Sequence, residues 1–107
     1  MYALKTYLSS LCNKVFKLLP MREAYDQGYN NHLIEYLENL CANFAGAFAC
    51  YPELTATSEI VEVYNNVTFL KNNQHIEFAQ WRSIILRSTR LIQTVAERYK
   101  GGVNIGH

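Results

Sequence analysis

The longest stretch with one unbroken hydrophobic period lies near the end of the chain, over residues 74–100. Its apolar side chains recur at steps of three, four and seven, which is the stripe of an amphipathic α-helix: Phe78, Trp81, Ile84, Ile85, Leu91, Ile92, Val95 and Tyr99. A helix over about 75–100 would be roughly 39 Å long. Other helices must pack along such a stripe, so we expect an all-α fold.

The side of this segment opposite the stripe is basic. It carries four arginines, which are our main candidates for a partner-binding surface: Arg82, Arg87, Arg90 and Arg98. Lys100 and Arg98 suit the negative end of a helix dipole, and Gly101 with Gly102 follows directly. The sequence therefore predicts that the helix ends near residue 100, with a loosely ordered tail over 101–107.

Three further helices are predicted, over about 2–19, 31–50 and 58–71. Leucines repeat at helical spacing over 2–19, and Pro20 is expected to end that helix because a residue before proline is pushed out of the helical region. Residues 20–31 then read as a loop, for which one helical turn at Arg22 to Asp26 is an alternative in its first half. The stretch 59–71 also fits a hairpin turning at Asn65 and Asn66, but no other strand would be available to pair with it. The chain predicts one domain over 1–107, a small antiparallel bundle of about four helices.

Small residues accumulate in the second half of the 31–50 helix, around Gly46. A tight helix contact within the molecule explains them most simply, and a self-association face is the alternative. A homodimer is a further expectation, because the last predicted helix is longer than the one before it. Part of its stripe would then lack cover, with Trp81 or Tyr99 exposed.

The charge distribution is uneven although the net charge is only +1. Residues 1–22 and 63–107 are basic, whereas residues 23–62 contain seven acidic residues and no lysine or arginine. The three cysteines form an odd set without the spacing of a disulfide framework, which indicates a reducing compartment, and we expect the cytoplasm. The apolar runs are too short for a membrane span, so no membrane partner is expected.

No residue pattern in the chain points to catalysis. His32, His75 and the cysteines lack the close spacing of zinc ligands. The carboxylates at Glu35 and Glu38 sit three apart on a predicted polar face, as solvated acids often do, and no glycine-rich phosphate loop follows a strand. We therefore expect neither an enzyme nor a bound metal or cofactor.

The remaining interpretation is a binding protein. An acidic protein partner docked on the four arginines is favoured, in a small accessory or regulatory factor of the kind that phages and mobile elements encode. Two tyrosines in the predicted loop, Tyr25 and Tyr29, are weaker candidates for the same contact, because tyrosine buries a large area while keeping a polar tip. Nucleic acid bound by the same arginines is the alternative, and acids of neighbouring helices could instead occupy the arginines.

Overall fold

The computed structural model describes residues 2–27 and 31–105, without the side chains of residues 2, 3, 25, 27 and 99–105. Over these ranges the chain forms five α-helices and one 3-10 helix: α1 (Tyr2–Phe16), α2 (Leu18–Gln27), α3 (Asn31–Cys50), the 3-10 helix (Pro52–Ala56), α4 (Ser58–Asn72) and α5 (Phe78–Ile105). The predicted all-α class is confirmed. The helix over 31–50 has the bounds that were predicted, and the stretch 59–71 is helical rather than a hairpin.

Side-chain bonds between the helices show how they run. Tyr36 of α3 donates from its hydroxyl to the Lys14 carbonyl of α1 over 2.7 Å, and Tyr7 of α1 donates to the Asn43 carbonyl of α3 over 3.5 Å. These two bonds fit only an antiparallel pair. Because α1 packs on α5, α5 on α4 and α4 on α3, the helices follow one another round the bundle in that order. Helices α3 and α5 therefore occupy opposite corners.

The predicted stripes meet in one core. Each helix contributes apolar side chains at steps of three and four, and the largest fully buried ones are Trp81, Phe44, Leu4, Leu8, Leu11, Leu18, Leu33, Leu37, Leu54, Ile60, Leu70 and Ile85. Phe44 and Phe48 of α3 pack against the Tyr64 ring of α4, with ring centroids 5.6 and 5.7 Å from that ring. This continuous apolar contact fixes which side of every helix faces solvent.

The predicted loop over residues 20–31 is wrong for its first part, because Leu18–Gln27 is helical. Pro20 does not end a helix here. It lies in the first turn of α2, where backbone N–H groups have no partner within the helix. Its missing N–H and its ring act instead on the carbonyl four residues earlier, that of Phe16, which is where α1 ends. The chain therefore bends at Lys17 and continues along α5.

Helix α2 covers the part of α5 that was expected to be exposed. Trp81 is only 1% exposed, and its indole nitrogen donates to the Leu18 carbonyl over 3.2 Å. The expectation of an exposed Trp81 is therefore wrong, because the residues assigned to a loop form a helix that packs on it. The side chain of Tyr99 lies outside the described residues. A homodimer stays a prediction without this support.

Arg22 holds α2 in this position, and sequence reasoning did not single it out. Its guanidinium is 5.5 Å from the Trp81 ring centroid and donates to the carbonyls of Gln74 and Ile76 over 2.9 and 2.5 Å. The Asp26 carboxylate, one turn further along α2, lies 3.2 Å from the guanidinium. Arg22 thus ties α2 to the segment that connects α4 with α5.

Two glycine predictions also fail. Helix α5 does not end before Gly101 but continues to Ile105, and among the described residues no glycine has the positive φ of a left-handed helix cap. Gly46 is exposed, and a Cβ added there would meet nothing within 4 Å. The small residue at position 46 is therefore not explained by a tight contact within the molecule.

Candidate partner-binding surface

The buried stripe of α5 sets the positions of its arginines. Trp81, Ile85, Ile92 and Val95 face the core, and Ser88 lies among them, accepting a 3.0 Å hydrogen bond from the Asn66 amide of α4. With this side of the helix fixed, the predicted arginines at 82, 87, 90 and 98 are all exposed. The structure thus confirms the predicted phase of the helix, but it does not make the four arginines equivalent.

Two of the arginines lie on the edge of α5 that faces α4, and both are paired with acids there. The Arg98 guanidinium is 2.6 Å from a carboxylate oxygen of Glu59. Arg87 donates two hydrogen bonds to the Glu62 carboxylate, one from Nε and one from Nη2. The hydrogen bond from Arg98 holds the pKa of Glu59 below its usual range, and that from Arg87 does the same to the pKa of Glu62. These pairs join α5 to α4.

The other two arginines, Arg82 and Arg90, point away from α4. Both are exposed, and neither guanidinium forms a hydrogen bond or ion pair with any residue in the described ranges. They are eight residues apart, so their Cα atoms are separated by about 12 Å along the helix. Their charges are the part of the predicted basic face that remains available to a partner.

Between these arginines, the outer surface of α5 forms a groove of about 400 Å³. Its lining consists of Ala79, Ser83, Leu86 and Leu91, which we call its floor, and of Arg82, Arg87 and Arg90, which we call its rim. Leu86 is half-buried but does not belong to the apolar core or to the side chains packed against it. We call this set of seven residues the α5 groove. Sequence reasoning found its rim but missed its floor, although Leu86 interrupts the polar side of the helix.

The tyrosine candidates cannot be placed on this surface. Tyr25 belongs to α2, but its side chain lies outside the described residues, and Tyr29 lies outside them altogether. Other tyrosines have structural contacts: Tyr7 and Tyr36 bridge α1 and α3, and the Tyr7 ring lies 6.0 Å from that of Tyr51. Burial, with a smaller contribution from Tyr51, raises the pKa of Tyr7 to about 12.

The residues considered for metal binding or acid-base chemistry do not come together. Among the described side chains, no three histidines, cysteines or acids are grouped so that they could hold a metal ion. Glu35 and Glu38 are exposed on α3, and Cys12 is half-buried with its Sγ 3.9 Å from the Thr89 carbonyl. In the described part of the chain, no helix has both the length and the apolar character needed to cross a membrane.

Comparison of the chain with known protein families, with curated proteins and with solved structures finds no match. Its function has to be inferred from the chemistry of its own surface.

Proposed function

We propose that this protein is a non-catalytic binding protein of the cell interior, an accessory or regulatory factor that docks an acidic protein partner in the α5 groove. One observation carries the proposal: the exposed Arg82 and Arg90 side chains have no partner among the described residues and lie at the two ends of a partly apolar floor. Arginine is enriched among the residues that dominate protein interfaces, and the buried centre of such interfaces is more apolar than the rest of a protein surface.

The floor of the groove favours a protein over nucleic acid. Phosphate backbones are bound mainly by cations and hydrogen-bond donors, whereas Leu86 and Ala79 offer an apolar contact that a sugar-phosphate chain would not use. Two of the predicted arginines are also occupied by Glu59 and Glu62. If only Arg82 and Arg90 met phosphates, the log-log salt slope on duplex DNA would be about −1.8, too shallow for a protein that relies on phosphate contacts.

Site-specific photocrosslinking tests the proposal. A photoreactive phenylalanine analogue replaces Ser83 in the floor of the groove, and the protein is irradiated in a lysate of the cells that produce it. We expect a protein adduct that disappears when Arg82→Glu and Arg90→Glu are added, because reversed charges repel an acidic partner. The same analogue at Glu53, an exposed position on the 3-10 helix, is the matched control and should give no such adduct.

Binding of labelled duplex and single-stranded nucleic acid, measured on the same variants, separates the alternative. Nucleic acid that binds the wild type at ~50 mM salt, weakens at ~200 mM and is lost with both charge reversals would replace the proposed function by nucleic-acid binding. Equal adducts at positions 83 and 53 would show that the groove has no selectivity, and the proposal would fail.

A further inference from the structure

The outer side of α3 carries an exposed stripe that the bundle does not use. The stripe consists of two acids followed by three alanines, spaced alternately three and four residues apart. All five are exposed: Glu35, Glu38, Ala42, Ala45 and Ala49. Gly46 lies beside the stripe and is equally open. The result is a flat helix face with negative charge near one end, which a neighbouring helix could approach closely.

The α5 groove has the reciprocal pattern. Its central line is Ala79, Ser83, Leu86 and Arg90, followed by exposed Gln93, at steps of four and three. Laid antiparallel to the α3 stripe, each position of one line meets one position of the other. Arg90 then faces Glu38, and Leu86 faces Ala42. Each large side chain meets an acid or a small residue.

We propose that the acidic partner of the α5 groove is the α3 stripe of a second copy of this chain. The inference rests on the proposed function and names its partner. Charge and shape support it together. The groove presents arginines that lack partners among the residues described, and the stripe presents the carboxylate of Glu38 beside residues small enough to admit Leu86.

The two surfaces cannot meet within one molecule, because α3 and α5 stand at opposite corners of the bundle. A molecule that offers its groove to a second copy keeps its own α3 stripe free for a third. Such a head-to-tail contact does not close on itself unless a rotation brings the ends together, and it gives open chains. The contact covers one face of one helix on each side, so we expect it to be weak and sensitive to salt.

Sedimentation of the whole chain tests this arrangement. We expect the weight-average mass of the wild type to rise beyond a dimer between ~20 μM and ~1 mM at ~50 mM salt, and to fall again at ~300 mM salt. Leu86→Arg blocks the groove and Ala42→Arg blocks the stripe, and each variant alone should associate at least tenfold more weakly. Ala56→Arg, an exposed alanine off both surfaces, is the matched control and should behave as the wild type.

Mixing the two blocked variants gives the decisive result. Ala42→Arg keeps an intact groove and Leu86→Arg keeps an intact stripe, so an equal mixture should form 1:1 dimers and nothing larger. A wild type that stays monomeric at ~1 mM and ~50 mM salt would overturn the inference. So would association that survives in either blocked variant. In both cases a different protein crosslinked at Ser83 would leave the proposed function standing.

Discussion

The two edges of α5 carry the same residue type in different states. On the edge that faces α4, Arg87 and Arg98 are paired with Glu62 and Glu59. On the outward edge, Arg82 and Arg90 have no partner among the residues described, and Leu86 lies between them. An arginine on the first edge joins two helices of the bundle. An arginine on the second is available to another molecule.

The difference depends on where α4 places its acids, and not on α5 itself. Glu59 and Glu62 stand in the first turns of α4, three residues apart, and the antiparallel packing brings them beside α5. A helical wheel of α5 alone shows four similar basic positions. The neighbouring helix divides them into a pair bound to its acids and a pair whose charges stay available, although Arg87 of the first pair also lines the α5 groove.

The largest effect is expected from a substitution in the buried apolar face of α5, because that face determines where both edges lie. Ile85 is fully buried at the centre of the α5 stripe, and Ile85→Asp would bury a carboxylate without a partner. We expect a loss of more than about 4 kcal/mol of unfolding free energy, enough to unfold the chain or nearly so. Circular dichroism during thermal melting measures it. A variant that melts close to the wild type would mean that the phase of α5, and with it both edges, is wrong.

Arg22 differs from the arginines on both edges of α5, because its side chain is buried. It is 5% exposed and supplies the hydrogen bonds to the Gln74 and Ile76 carbonyls. Arg22→Met keeps a long apolar side chain against Trp81 but leaves these carbonyls without that donor. We expect a loss of about 2–4 kcal/mol in urea unfolding. A change as small as that of an exposed arginine would show that α2 is not held by this contact.

These arginines also show how far the sequence could be interpreted. The hydrophobic period of the sequence correctly predicted that Ile85 is buried and Arg82 exposed, because this period depends only on the helix itself. The role of Arg22 and the pairing of Arg87 depend on residues about 50 and 25 positions away, whose approach only the packed structure reveals. The prediction that Pro20 ends the first helix was wrong for a related reason. A proline in the first turn of a helix and a proline that ends one cannot be told apart in the sequence.

The paired edge can be tested through pH. Hydrogen bonds from Arg98 and Arg87 lower the pKa values of Glu59 and Glu62 in the folded chain, so these carboxylates stabilise the fold fully above their unfolded pKa of about 4.3. The stabilisation is lost as pH falls through the lower, folded values. We therefore expect Glu59→Gln with Glu62→Gln to lower Tm modestly near pH 7.

Once pH has fallen below the folded pKa values of these two acids, wild type and double variant should converge, since protonation removes from the wild type what the substitution removes from the variant. Glu35→Gln with Glu38→Gln is the matched control, because those exposed acids have no such arginine beside them in the described structure. A gap in Tm that stays constant from pH 7 to ~pH 3 would show that the ion pairs contribute nothing through their charge.

Substitutions on the outward edge of α5 should have the smallest effect on stability. Arg82→Ala with Arg90→Ala removes two exposed side chains that have no partner among the described residues, and alanine favours a helix at least as well as arginine. We expect Tm to stay within the scatter of ordinary surface substitutions, while Arg87→Ala with Arg98→Ala lowers it slightly. The same Arg82 and Arg90 variant should lose the adduct formed at Ser83. If it instead melted well below the Arg87 and Arg98 variant, the outward arginines would be structural, and the docking proposed for the α5 groove would lose the charges on which it depends.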